Sequence, residues 1–270
     1  MEFGLFTCPY QYDPLEKAFR DAADFGYDFI ELWGGRPHAY PYDLQEDISE
    51  IRELIEKYSM PVKVYTPEIN AYPYNFMLAS DRQWEKCMDY VDISLNAACR
   101  MGAEAALFAI GHGGNVPEDR RRDRLMKSLR RMAELADKNG VMIMVETLTP
   151  FESNTCTGVR ELYDVLKAAD SDMLCPMVDL AAPFTQGEDP ADYVRMFGKR
   201  LNHMHLVDSD GESDTHLIPG EGIMDLKNIL TEMRSLGFDG TATIELVTHY
   251  MSDPSYYAEL ALKKAKELLE

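Results

Sequence analysis

Eight short apolar runs, separated by amphipathic stretches from end to end, constrain this chain more than any other feature. They are Phe3–Thr7, Asp28–Trp33, Val62–Thr66, Ala105–Ile110, Val141–Thr147, Met173–Asp179, Asn202–Val207 and Thr241–Leu246. Between them the patterning predicts helices over Pro14–Phe25, Leu44–Tyr58, Asp81–Met101, Arg120–Asn139, Gly158–Ala169, Ala191–Phe197, Leu226–Leu236 and Pro254–Leu268. In Arg120–Asn139, for example, Leu125, Leu129, Met132, Leu135 and Ala136 recur at helical spacing with charges between them. Gly140 follows as a stop, and Gly26, Gly102 and Gly237 repeat the signal. Strands separated by helices pair in parallel, because a parallel crossover needs an intervening element. Eight such units in 270 residues, about 34 residues each, most simply close into a single α/β barrel, a (β/α)8 TIM barrel. An open doubly wound sheet is the competing arrangement, but no glycine-rich loop follows the first strand to support it. No linker, low-complexity tract or composition break divides the chain, so one domain over residues 1–270 is expected.

Charge narrows the function classes. With 27 Lys and Arg against 47 Asp and Glu, the formal charge is −20. Such a surface repels a phosphate backbone and an anionic bilayer, so neither nucleic acid nor membrane is an expected partner. The five cysteines, Cys8, Cys87, Cys99, Cys156 and Cys175, form no CxxC pair and read as reduced thiols. The N-terminal residues show no basic segment followed by an apolar run, and no stretch reaches the roughly 18 apolar residues of a membrane span. A cytoplasmic location is expected.

In a barrel of this kind, chemistry sits at the C-terminal ends of the strands. The fifth run, VMIMVET, carries Glu146 next to its end, and the sixth ends in Asp179. The seventh carries His203 and His205, two apart and therefore on one face, and the eighth has Glu245 near its end. A buried carboxylate costs several kcal/mol unless paired or bound to a cation. These runs contain no Lys or Arg. A divalent metal ion supplies the missing positive charge, and a set of three carboxylates and one imidazole suits Mn²⁺, Mg²⁺, Co²⁺ or Ni²⁺, with Zn²⁺ as a substitute in a crystal.

These residues and several longer stretches resemble one family. The stretches are FTC near the start, Glu31–Ala39 (ELWGGRPHA), YTPE and YPYN within Tyr65–Asn75, LTPFESN at Leu148–Asn154, VDSDGESDTHLIPGEG at Val207–Gly222, and ELVTHYM at Glu245–Met251. The whole chain resembles the sugar isomerase/epimerase family of xylose isomerase-like barrels, which includes D-tagatose 3-epimerase, and is closer still to its fructoselysine 3-epimerase-like members. The resemblance implies that Glu146, Asp179, His205 and Glu245 hold one divalent metal. It also implies epimerisation at C3 of a ketose, with Glu146 and Glu245 as the acid/base pair on either face of a planar enediolate. Asp179 and His205 would then be ligands without a proton role.

The same resemblance assigns substrate contacts. Glu152 matches a family carboxylate that touches the sugar. Simple ketohexose epimerases of the family have a His where this chain has Ala182 and an Arg where it has Gly211. Their absence argues against a plain ketohexose and leaves room for a group on C1, such as the lysine of fructoselysine. Glu68, Asp208, Asp210 and Asp214 are loop acids expected to pair with its amines. Trp33, followed by Gly34–Gly35, is a candidate for stacking on the sugar, and His112 and His216 for binding hydroxyls. Gly220 and Gly222 are expected to shape a loop, and Cys8 lacks a paired base that would make it a nucleophile. The Tyr72–Tyr74 segment is expected to cover the site or to meet a second subunit of a homo-oligomer. The competing functions are a ketohexose 3-epimerase, an aldose–ketose isomerase, an apurinic-site endonuclease and a non-catalytic sugar-binding protein. Six His residues and the −20 charge disfavour the endonuclease.

Overall fold

The apolar runs become strands wherever side chains must alternate between a barrel interior and a helical layer. A computed structural model describes residues 1–270. Its strands are β1 (Phe3–Phe6), β2 (Phe29–Trp33), β3 (Val62–Thr66), β4 (Ala105–Ala109), β5 (Met142–Glu146), β6 (Leu174–Pro176), β7 (Val178–Asp179), β8 (His203–His205) and β9 (Thr241–Ile244). The helices are α1 (Leu15–Phe25), α2 (Pro41–Glu46), α3 (Ser49–Tyr58), α4 (Asp81–Met101), α5 (Glu118–Asn139), α6 (Val159–Ala169), α7 (Ala181–Thr185), α8 (Ala191–Phe197), α9 (Leu226–Ser235) and α10 (Pro254–Leu268). All strand pairs are parallel, in the order β6-β5-β4-β3-β2-β1-β9-β8-β7. The two end members, β6 and β7, are one strand interrupted at Met177, so the order begins and ends on the same stretch of chain. The sheet is therefore a nearly closed barrel, the architecture expected from eight alternating units. Pro176 brings no N–H to a ladder, and the strand breaks just after it.

Two apolar layers follow from the alternation. A set of 72 buried residues lies between strands and helices. Inside the barrel, Phe29, Val64, Ala105, Leu107, Met144, Cys175 and Met177 pack together. Gly4 sits beside this inner set because a Cβ there would meet the Phe29 ring at 2.3 Å. Register then sets the site. Ala109 pairs with Glu146, and Asp179 with His205, which pairs in turn with Thr243. Glu146, Asp179 and His205 are each the last residue of their strands, and Glu245 stands one residue past β9.

Two helix assignments differ from expectation. The single helix expected over Leu44–Tyr58 is two, α2 and α3, because Asp47 takes extended backbone and its carboxylate accepts the Ser49 N–H at 2.9 Å. That local bond competes with the helical ladder. Helix α7 was not expected: it is five residues, too short for periodicity to show, and begins where Asp179 accepts the Ala181 N–H at 2.7 Å. Gly26, Gly102 and Gly140 end their helices in the left-handed region, and Gly237 stands one residue past the cap of α9. All five cysteines are free thiols. No helix is long and apolar enough to cross a membrane.

Candidate active site

The barrel register brings Glu146, Asp179, His205 and Glu245 together at its C-terminal end. His205 Nδ1 lies 2.8 Å from Glu245 Oε2, 3.4 Å from Glu146 Oε1 and 3.8 Å from Asp179 Oδ2. One ligand atom from each residue falls within 4.8 Å of all the others, and all four residues are buried. The 2.8 Å contact is not a hydrogen bond. His205 Nδ1, Glu245 Oε2 and Asp179 Oδ2 have no hydrogen-bond partner at all. Their remaining polar atoms are engaged elsewhere. Asp179 Oδ1 accepts the N–H groups of Ala181 and Ala182, and His205 Nε2 lies 3.0 Å from Glu31 Oε1. Orphaned buried acceptors cost about 1–3 kcal/mol each, more when charged. Three orphans converging on one point, with a third carboxylate, Glu146, alongside, form a donor set that fits a divalent cation.

In the ion-free protein, protons take the place of that charge. Burial alone would lower the His205 and His216 imidazoles, but Glu245 outweighs it, with Glu31 on His205 and Asp179 on His216, and both are held well above the ordinary value. Burial likewise disfavours ionisation of Glu245, yet the two imidazoles hold it well below the usual carboxylate range. Burial pushes Asp179 up to about 7 even against His216. Glu146 is raised by burial and by Glu245, with His205 opposing.

Above the cluster opens a cavity of about 230 Å³, smaller than the roughly 300–1,000 Å³ of drug-sized pockets. Its wall carries six carboxylates, Glu68, Glu146, Glu152, Asp179, Asp214 and Glu245, and no Lys or Arg. Glu152, Glu68 and His216, three of the expected substrate contacts, line it. Glu152 is pushed up to about 8 by burial, with Asp214 and Glu146 adding to it. His216 Nδ1 lies 3.1 Å from Glu245 Oε2. Ala182 also faces the cavity, leaving open the space a larger side chain would fill.

The other expected contacts fall elsewhere. Trp33 is not on the wall; its indole N–H donates to Glu68 and so fixes that carboxylate. His112 is also outside, because its Nδ1 accepts the Gly114 N–H at 2.9 Å and turns the ring into its own loop. Asp210 is consumed by a turn: it accepts from the N–H groups of Glu212 and Ser213 and from the Ser213 hydroxyl, which hold it down at about 2. Asp208 is fully buried and accepts three backbone N–H groups, from Ser209 at 2.8 Å, Gly220 at 2.9 Å and Met224 at 3.1 Å. Gly222 is required by this arrangement, since a Cβ there would sit 2.3 Å from Asp208 Oδ1. Asp208→Ala should therefore destabilise the protein by on the order of 3–5 kcal/mol, read from urea denaturation. A loss below about 1 kcal/mol would make this carboxylate incidental to the loop. Of the four loop acids, Glu68 and Asp214 reach the cavity. Cys8 reaches it too, but burial, then Glu245 and Glu68, push its thiol up to about 12, as suits a non-nucleophile. In the Tyr72–Tyr74 segment, Tyr72 is 97% exposed and Tyr74 stacks on Tyr90 with centroids 4.1 Å apart; neither lines the cavity.

Glu31 was missed as a site residue. It is fully buried on β2 and contacts both histidines of β8, His203 and His205. Its signal in the sequence was a lone charge inside the apolar run FIELW.

Comparison with known proteins agrees with this fold. The xylose isomerase-like TIM barrel family model matches residues 19–269. The chain is 41% identical to fructoselysine 3-epimerase of Shigella flexneri over 271 residues, covering 100% of this chain and 98% of the relative. Among solved structures, D-psicose 3-epimerase of Clostridium cellulolyticum H10 with D-tagatose superimposes with a TM-score of 0.82 at 16% identity, covering 100% of both chains. The 3-keto-D-glucoside 4-epimerase of E. coli superimposes with a TM-score of 0.81 at 16% identity, covering 98% of this chain and 99% of that one. At such identities the structural likeness speaks to the fold alone.

Proposed function

This chain belongs to the xylose isomerase-like TIM barrel family, and from that premise we propose that it inverts C3 of fructoselysine, giving psicoselysine, or acts on a closely similar C1-aminated ketose. It is a sugar epimerase close to fructoselysine 3-epimerase. The observation that carries the finer reading is the convergence of four buried ligand atoms at the floor of a cavity lined by six carboxylates and no Lys or Arg. A divalent ion held by Glu146, Asp179, His205 and Glu245 supplies Lewis acidity beside the ketone.

The protein's own groups do the rest. Inversion at C3 needs one carrier to remove a proton and another to return one to the opposite face. Glu146 and Glu245 arrive from different strands and both face the cavity, which suits them to that pair. The reaction runs in either direction, so each must both give and take a proton. Asp179 is held by two backbone N–H groups and His205 by Glu31, which suits them to anchoring rather than proton transfer.

The cavity's acids favour an amine-bearing sugar. Glu152 keeps its proton up to about 8 and Asp214 lies 3.8 Å from His216 Nε2, so the secondary ammonium of fructoselysine adds a cationic partner chiefly for Glu68 and Asp214. Ala182 leaves room for the substituent that carries it. The test is a substrate panel incubated in D₂O, with exchange at C3 followed by proton NMR. Fructoselysine and psicoselysine should exchange fastest; label entering only at C1 of a free ketose would replace the epimerase reading by an isomerase one. Within the panel, Asp214→Asn should raise KM for fructoselysine about tenfold, in line with the roughly 1.5–3 kcal/mol of a hydrogen bond to a charged group. KM for free fructose should barely move. An equal rise for both sugars would remove Asp214 from amine recognition.

A further inference from the structure

We propose that Glu31 is a positioning residue that fixes the ring and tautomer of His205, so that Nδ1 rather than Nε2 offers its lone pair to the metal cluster. This rests on the metal reading above. Glu31 is fully buried inside the barrel, on β2, with β1 and β9 between it and β8 in the strand order. Its Oε1 lies 3.0 Å from His205 Nε2 and accepts the Thr66 hydroxyl at 2.6 Å, while its Oε2 lies 3.2 Å from His203 Nε2. His203 Nδ1 in turn lies 2.7 Å from Thr241 Oγ1. The carboxylate is thus braced on both oxygens, and the imidazole it faces has one nitrogen engaged and the other bare.

Glu31, His203 and His205 also place ligand atoms within 4.8 Å of one another, which could describe a second metal site. The orphan pattern decides against it. No atom of Glu31 or His203 is without a hydrogen-bond partner, whereas His205 Nδ1, on the other side of the same ring, has none. An ion among these three would displace bonds already made; an ion at His205 Nδ1 would displace none. A carboxylate accepting Nε2–H leaves Nδ1 unprotonated once the ring is neutral, which is the arrangement that orients metal-bound histidines. Without Glu31 the ring could turn or take the other tautomer, and the ligand would be lost without any change at the cluster itself.

The experiment uses the chelator-stripped full-length protein, titrated with Mn²⁺ by calorimetry. Glu31→Gln should weaken Mn²⁺ binding 10- to 100-fold relative to wild type, while Glu31→Asp, which keeps the charge, recovers part of that loss. The ion-free melting temperature and far-UV spectrum report separately on folding. A folded Glu31→Gln protein that binds Mn²⁺ as tightly as wild type overturns the proposal. Should that variant fail to fold, the wild type decides: in the Mg²⁺-loaded protein, ¹⁵N spectra should show His205 protonated at Nε2, and protonation at Nδ1 overturns the proposal. A wild type that takes up no Mn²⁺ at all would instead overturn the metal reading beneath it.

Discussion

Replacing either Glu146 or Glu245 by Gln is expected to slow net inversion at C3 of fructoselysine by at least about 10³-fold, since one positioned acid/base group contributes roughly 10²–10⁴-fold. Gln matches Glu in size but cannot carry the transferred proton, so the cavity keeps its shape while the chemistry stops. The two variants should differ in what survives. If each Glu serves one face, each single variant still has a carrier for one epimer. Residual C3–H exchange in D₂O would then be confined to fructoselysine in one variant and to psicoselysine in the other, with no inversion in either. This mirrored pattern separates a proton role from mere damage to the ligand set, which would slow both epimers alike. Inversion above a tenth of the wild-type rate in either variant would remove that residue from the acid/base pair.

The position of these two residues at the barrel mouth is legible without coordinates for a local reason. A charge that ends an apolar run in an alternating strand–helix chain has few places to go, and parallel register lines up the ends of neighbouring strands. Glu146, Asp179 and His205 end β5, β7 and β8, and the sequence pattern places them within a residue of where they lie. Loop residues are different. Whether Asp214 or Asp208 reaches the cavity depends on which backbone N–H groups each meets first, and Asp208 meets three. His112 and Trp33 depend on such partners too: His112 Nδ1 accepts the Gly114 N–H of its own loop, the Trp33 indole donates to Glu68 35 residues away, and neither side chain lines the cavity. Glu31 lies inside its run rather than at its end, and its partners are 172 and 174 residues away, so no local pattern ties it to the site. The break between α2 and α3 hung on one Asp side chain, too small a signal to interrupt the periodicity around it.

Removing the ion should make stability depend on pH in a definite direction. In the ion-free protein Asp179 keeps its proton up to about 7, against an ordinary 3.8, and Glu152 up to about 8, against 4.5. Between these limits the folded state holds protons that the unfolded state has released, so stability is full below the ordinary values and lost as pH rises through 7 to 8. His205 and His216, held above an ordinary 6.5, add loss in the same sense at higher pH. Glu31 and Glu245 are held low and act oppositely: their contribution is present above their ordinary 4.5 and lost as pH falls below it. The ion-free protein should therefore melt highest near pH 4–4.5 and lose on the order of 1–3 kcal/mol per pH unit above it, up to about pH 8, from these groups. Mn²⁺ reverses the trend at the site, because binding requires His205 neutral at Nδ1 and Asp179 ionised, and so tightens as pH rises. At pH 8, Mn²⁺ at about 100 times its Kd should add roughly 2.7 kcal/mol, worth about 5–10 °C for a chain of this size. At pH 5.5 the same concentration should add almost nothing. Melting curves with and without Mn²⁺ from pH 5 to 8.5 measure the difference directly, cancelling every carboxylate outside the site. A Mn²⁺ shift that stays constant across that range would mean the ion displaces no protons here, and the cluster of Glu146, Asp179, His205 and Glu245 would not be where it binds.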